Sequence, residues 1–430
     1  MIARLLPLFV AALLLPHPAL AQPAAPGVKP GTQQGARPSA KPSPKPSAKP
    51  STRSAPNSAP KSRNAFKHEP MIFFVAKGGP DACGPGCDTW IGAEGTFDPQ
   101  VHERLSAFLN VPAHRNLPIF FHSPGGELQP SIATGNVLRE RRMTAGIGQT
   151  IPDGCRERPR ADAACRKRMA SGRVLPARLK VENGICASGC GYALIGASTR
   201  LIGPGAKFGV HASRLVPRPA PGGARVDVSA AASREAEGQS YDLLKQYVVL
   251  AGVDPALIDV ARKTPHDRVH WLSRDELQRH GVMPGPSYET PWLRIPLPDA
   301  KFTVVKSLTQ LSRDGREEHR TTTIGIDCTP GQRPFITVRR ELPAYETGAE
   351  LALRMSAGEA FSLTFHEGRR ADAATELRVQ PVATDALARA ASSEAIVLRE
   401  ERGPFIRETR LSTKGLAEAL GGGPKGCGRF

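Results

Sequence analysis

Between residues 71 and 150, short apolar runs alternate with stretches of helical spacing, and that order leaves few folds open. Residues 71–76 and 90–95 read as strands. Residues 98–109 place Val101, Leu105, Phe108 and Leu109 on one helical face. Residues 119–122 read as a third strand, and 128–141 as an amphipathic helix with Ile132, Gly135 and Leu138 on one side. Residues 144–150 return as a strand. A β-α-β-α-β order predicts an α/β core with crossover connections.

The next informative stretch is 184–211, GICASGCGYALIGASTRLIGPGAKFGVH. Ser188 stands among small residues, Cys186-Ala187-Ser188-Gly189-Cys190, and should open a helix running to about Ile195. The helix N-terminus would then point at the serine. A strand ending at His211 follows, so nucleophile and base lie one strand apart. Upstream, a buried strand runs into Ser123-Pro124-Gly125-Gly126, a turn with free backbone N–H groups. Together with the amide of Gly189, these donors can converge on a tetrahedral oxyanion. The pattern is not the Gly-x-Ser-x-Gly elbow, because Cys186 and Cys190 occupy its glycine positions. The competing reading makes Ser188 a helix cap and His211 a strand-end histidine held by a carbonyl. His122 is a rival base.

Ser-Pro-Gly-Gly, then Ala-Ser-Gly opening a small-residue helix, then a strand ending in histidine, resembles the Clp-peptidase branch of the Clp/crotonase superfamily. More specifically, it resembles exported bacterial Clp-like proteins of the serine-protease type with a Cys-x-Ser-x-Cys segment. The resemblance spans roughly residues 71–282. It implies a Clp/crotonase-like ββα superhelical core, with Ser188 as nucleophile and His211 as base. It places oxyanion donors at Gly125, Gly126 and Gly189, and an acid in residues 264–273, where Asp267 is the match and Asp254 and Asp259 compete. It also implies a peptide or protein substrate, a homo-oligomer built as rings or stacked trimers, and no metal or organic cofactor. The chain departs from Clp peptidases in the inserted residues 151–178, read as a disulfide-tied surface loop, and in the cysteines beside Ser188. It also lacks features that would dock an unfoldase.

Residues 1–21 read as a signal peptide: Arg4, an apolar run of about 11 residues, too short to span a bilayer, and a small-residue cleavage site. This predicts a periplasmic or secreted protein. Eight cysteines in an exported chain favour disulfides. Cys328–Cys427 is the expected long-range pair, with Cys83/Cys87 and Cys155/Cys165 as local loops. Cys83/Cys87 with Cys186/Cys190 is the alternative, a zinc site. The net charge of +18 suggests nucleic acid at first. However, Lys29, Arg37, Lys41, Lys45, Lys49, Arg53, Lys61, Arg63 and Lys67 supply half of the excess within 22–67, a Pro/Ser/Lys-rich stretch with no acidic residue. That composition predicts a disordered basic linker drawn to an anionic envelope surface, not a base reader.

Helices are expected over 229–250, 254–262 and 273–280, the last opened by a capping box at Ser273–Glu276. Residues 68–288 thus form the hydrolase-type domain. From about 291 the pattern alternates like half-buried strands up to a closing helix over 412–420, so residues 289–430 read as a β-rich accessory domain. His319 and His366 stand isolated there and read as surface histidines. A catalytically inactive Clp-like scaffold is the alternative function, and acyl-CoA chemistry fits poorly with export.

Overall fold

The computed structural model describes residues 69–157, 159–213, 230–312, 318–342, 352–358, 361–365, 368–371, 375–402, 405–421 and 427. The expected signal peptide and basic linker lie outside the described residues, as does His366. The described chain is mixed α/β with several sheets.

The apolar runs become strands buried on both faces. These are β1 (Ile72–Lys77), β2 (Thr89–Glu94), β3 (Ile119–His122) and β4 (Thr144–Ile147). Helices α1 (Val101–Leu109) and α2 (Leu128–Glu140) are the crossovers, which makes β2, β3 and β4 parallel. Ile91, Ala93, Ile119 and Phe121 point to the helix side, where Val101, Leu105, Leu109 and Leu138 meet them. Phe74, Trp90 and Phe120 point the other way, onto Met169, Leu175 and Ala177. A parallel sheet needs both faces covered, which explains the near-continuous hydrophobic runs.

The 144–150 stretch is two strands, not one. Gly148 gives its N–H to Phe121 O (3.0 Å), and the chain turns into β5 (Gln149–Pro152). The inserted segment also corrects the loop reading. It contains helix α3 (Ala163–Met169), capped by Asp162, and strand β6 (Leu175–Lys180). β6 pairs with both β5 and β1, giving the order β5-β6-β1-β2-β3-β4-β8, with β8 spanning Thr199–Leu201. The basic residues on α3 and β6 masked this, because only one face of each is buried.

A second, three-stranded sheet carries the serine segment: β7 (Ile185–Ala187), β9 (Lys207–Val210) and β10 (His270–Trp271) in the order β10-β9-β7. Helix α4 (Gly189–Ile195) leaves β7. Helices α5 (Ala230–Leu250), α6 (Ala256–Lys263) and α7 (Arg274–Arg279) follow, the last with the expected capping box and with Gly281 at φ +67° after it.

The β-rich region has its own core. Its first sheet runs β11-β13-β14-β15-β19-β18, with β12 beside β13. These are β11 (Ser287–Glu289), β12 (Leu293–Pro296), β13 (Phe302–Ser312), β14 (Glu318–Cys328), β15 (Phe335–Glu341), β18 (Arg369–Arg370) and β19 (Thr375–Pro381). Its second sheet is β17-β16-β20-β21, from β16 (Ala352–Ser356), β17 (Ser362–Phe365), β20 (Ala395–Arg402) and β21 (Phe405–Ser412). The expected boundary at 288/289 falls inside β11. Helix α8 (Thr384–Ala391) and the β20–β21 hairpin go beyond the sequence reading; in the hairpin Arg and Glu interrupt the apolar alternation, and Arg399 faces Glu408 across it and pairs with it (3.5 Å). The closing helix is shorter than expected, α9 (Leu416–Leu420), because β21 extends to Ser412 and Gly415 turns at φ +85°.

The described residues fall in one compact unit. Arg139 on α2 is buried against Glu341 on β15 and donates to Leu250 O (3.0 Å); Glu341 also accepts from Thr321 N (2.8 Å). Arg142 pairs with Glu318.

Candidate active site

The path from β7 into α4 forces a sharp turn at one residue. Ser188 sits at φ +54°, ψ −126°, a region that side-chain-bearing residues avoid. Its backbone is held on both sides: Ser188 N donates to Gly209 O (2.9 Å), and Gly191 N donates to Ser188 O (3.0 Å). A helix-start serine ordinarily spends its hydroxyl on the helix amides. Ser188 makes no such bond. The residue is half-buried. A disulfide between the buried residues Cys186 and Cys190 (Cα–Cα 5.1 Å) closes the five-residue segment across the bend.

The Ser123–Gly126 turn is pressed against this elbow. Gly125 has φ +107°, and a Cβ there would lie 2.6 Å from Ala187 O and 2.7 Å from the Ser188 Cβ. Only glycine allows that approach. Gly125 N–H is already used, donating to Ser123 Oγ (3.1 Å), and its carbonyl accepts from Phe97 N (2.9 Å). Its expected part as a donor is therefore not available in this conformation; it seats the turn. Gly126 is different. Its N–H and that of Gly189 find no acceptor among the described residues. The two groups are close, since a Cβ on Gly189 would lie 3.3 Å from Gly126 N. Two unspent amides beside a serine hydroxyl suit a developing oxyanion.

His211 follows β9 directly and is half-buried. Its Nδ1 lies 2.9 Å from Ala212 O. A carbonyl only accepts, so Nδ1 carries the proton and Nε2 is the acceptor in the neutral ring. Ala212 N donates to Thr264 O (2.9 Å), which fixes this segment to the loop after α6. His266 in that loop meets the His211 ring edge-on, with centroids 5.2 Å apart. No hydrogen bond joins Ser188 Oγ to the His211 ring in this conformation. Asp267 is exposed in the same loop and makes no bond to His211. The competing acids are engaged elsewhere: Asp259 pairs with Lys245 (2.7 Å), and Asp254 caps Ala256 N (2.8 Å) and accepts from Tyr288 OH (3.2 Å).

His122 belongs to the support, not to the reaction face. It is buried, and its Nδ1 accepts from Ile185 N (3.3 Å), tying β3 to β7. Burial, with Arg160 nearby, pushes its pKa down to about 4. Beside it, fully buried Glu94 accepts from Thr150 N (2.7 Å), and burial raises its pKa well above the ordinary value. Sequence reasoning missed Ser123, which holds the glycine turn, and Ser131, whose hydroxyl fills the space beside Gly189. The serine before Pro-Gly-Gly was the signal for the first; nothing local marked the second.

All eight cysteines pair: Cys83–Cys87, Cys155–Cys165, Cys186–Cys190 and Cys328–Cys427. The three expected pairs are present, and Cys83–Cys87 and Cys186–Cys190 together occupy the four thiols that the zinc alternative required.

No family model and no curated protein matches the sequence. Among solved structures, two variants of the 1510-N membrane-bound stomatin-specific protease overlay at TM-score 0.28, with 12% and 13% identity. Each covers 44% of this chain, and the overlays take in 74% and 70% of those chains; the second is in complex with a substrate peptide. A variant of ClpP1 from Listeria monocytogenes overlays at TM-score 0.26 and 13% identity, over 44% of this chain and 84% of that one.

Proposed function

We propose that this chain is an exported serine hydrolase with a Clp/crotonase-type core, acting on peptide or protein substrates. The observation that carries the reading is the strained, uncapped Ser188 beside the two unspent amides of Gly126 and Gly189. Strain of this kind costs about 1–3 kcal/mol and persists where surrounding structure enforces it.

In the proposed reaction Ser188 Oγ attacks the substrate carbonyl carbon while His211 Nε2 takes the hydroxyl proton. The carbonyl π pair moves onto oxygen, which the Gly126 and Gly189 N–H groups receive. Each such donor contributes about 3–4 kcal/mol in comparable sites. The imidazolium then passes its proton to the leaving nitrogen as the C–N bond breaks. Water, deprotonated by the same ring, releases the acyl group from Ser188. Closure of the Ser188–His211 contact accompanies substrate binding, as catalytic hydrogen bonds often tighten only then. Ala212 O holds the required tautomer. Asp267, the acid expected from the resemblance, is exposed in the loop after α6 and makes no bond to the ring, so Ala212 O alone orients it in this conformation.

Export is part of the proposal and is supported by the four disulfides. So are a division of labour between residues 68–288 and 289–430, assembly with further copies, and attraction of the basic tail to an anionic surface. The open Ser188–His211 contact favours one second reading, an inactive scaffold of the same fold. A fluorophosphonate probe separates them: labelling that disappears in Ser188→Ala supports the hydrolase, and absence of labelling on folded protein leaves the scaffold.

A further inference from the structure

We propose that Trp271 determines specificity at this site by forming a platform for a flat apolar side chain of the substrate; the inference rests on the hydrolase reading above. The β10-β9-β7 sheet has two different faces. Cys186, Phe208, Val210 and Leu272 point into the main core. Gly209, His211 and Trp271 lie on the opposite face, since side chains alternate along a strand and paired residues share a side. Trp271 pairs directly with Gly209. With no side chain there, the indole lies over the glycine: a Cβ on Gly209 would fall 2.7 Å from Trp271 Cε3 and 2.8 Å from Cζ3. Gly209 is also the residue whose carbonyl anchors Ser188 N, and His211 is two residues further on.

The ring is therefore seated on the backbone that holds the nucleophile, on the face that carries the base. It remains 43% exposed, whereas Trp90 and Trp292 are 0% and 9% exposed. An isolated exposed apolar residue needs no explanation. An indole laid over the glycine that anchors Ser188, two residues before His211, has a specific consequence, because it offers a rigid aromatic surface to the acyl part of a substrate. Aromatic and other flat apolar groups stack on such a surface; small ones gain nothing from it.

The test uses the full chain in two arms. In the first, Ser188→Ala protein is titrated with N-acetylphenylalanine amide or N-acetylalanine amide while acrylamide quenches tryptophan fluorescence. With the other two tryptophans buried, the quenchable signal comes from Trp271. The phenylalanyl ligand should reduce quenching and the alanyl ligand should not; equal behaviour of the two overturns the proposal, whether or not the protein is a hydrolase. In the second arm, p-nitrophenyl acetate and p-nitrophenyl 3-phenylpropionate are compared. Wild type should prefer the phenyl ester by about tenfold in kcat/KM, a ratio ordinary for one apolar contact. Trp271→Phe should keep that preference and Trp271→Ala should lose it. A preference that survives Trp271→Ala, or is lost equally in Trp271→Phe, refutes the assignment. Absence of turnover with both esters sinks the hydrolase reading alone, and the quenching arm then decides for Trp271.

Discussion

The backbone at Ser188 makes a thermodynamic prediction independent of any substrate. At φ +54°, ψ −126° a side-chain-bearing residue carries about 1–3 kcal/mol of strain. Ser188→Gly removes the Cβ that causes it. Glycine costs about 0.5–1 kcal/mol more backbone entropy on folding, so the net gain should be roughly 0.5–2 kcal/mol. Ser188→Ala is the control. It keeps the Cβ, and the hydroxyl it deletes caps nothing, so its stability should stay within about 0.5 kcal/mol of wild type. Urea denaturation of the three oxidised proteins reads the difference, and a rise of a few degrees in Tm for Ser188→Gly would accompany it. Both variants should lose fluorophosphonate labelling. A Ser188→Gly protein no more stable than Ser188→Ala would show that this backbone is not held against a cost, and the elbow argument would fail.

Three further outcomes are expected. Replacing Cys328 and Cys427 by alanine should cost about 4–5 kcal/mol, because that bridge closes a 99-residue separation, whereas removing Cys186–Cys190 should cost about 2 kcal/mol and yet abolish labelling; chemical denaturation beside a labelling gel checks both. His122 is neutral in the fold, with a pKa near 4 against 6.5 when unfolded, so its contribution is complete above pH 6.5 and is lost as pH falls toward 4, by about 3 kcal/mol. Glu94 acts oppositely, since its raised pKa adds a cost as pH climbs above 4.5, so the assay is the stability difference between wild type and His122→Gln at pH 7 and pH 4; a constant difference would contradict the assignment. Asp267→Ala should retain activity within about tenfold, because Ala212 O already orients the ring; a loss nearer 10⁴-fold would make Asp267 the third member of a triad.

The core strands were readable because burial on both faces leaves unbroken apolar runs such as residues 71–76 and 119–121. β6 was not, since Leu175 and Ala177 alternate with polar residues inside a basic segment, and its pairing with β1 is long-range. The same divide runs through the site. Ser188, His211 and the glycine turn announce themselves by small neighbours and local order. That Gly125 spends its amide on Ser123, and Gly126 does not, depends on a turn conformation that no residue pattern specifies. The role of Ala212 O was equally hidden, since every residue offers a carbonyl. Trp271 gave no local signal, because its meaning comes from the glycine across the ladder.

Helix α2 begins two residues beyond Gly126 and ends with Arg139 locked, in the interior, to a carboxylate contributed by β15. A fragment cut near residue 288 would keep the guanidinium and discard Glu341. The cut would also uncover the face on which Arg139 and Leu250 are buried and strip away the contacts that tie α2 to the carboxy-terminal sheets. The amino-terminal half is thus poorly suited to isolated expression, and an inactive truncation would say nothing about its chemistry. Conversely, one helix runs from just beyond the glycine turn to the buried pair with β15, so the candidate site and the carboxy-terminal sheets share a structural element.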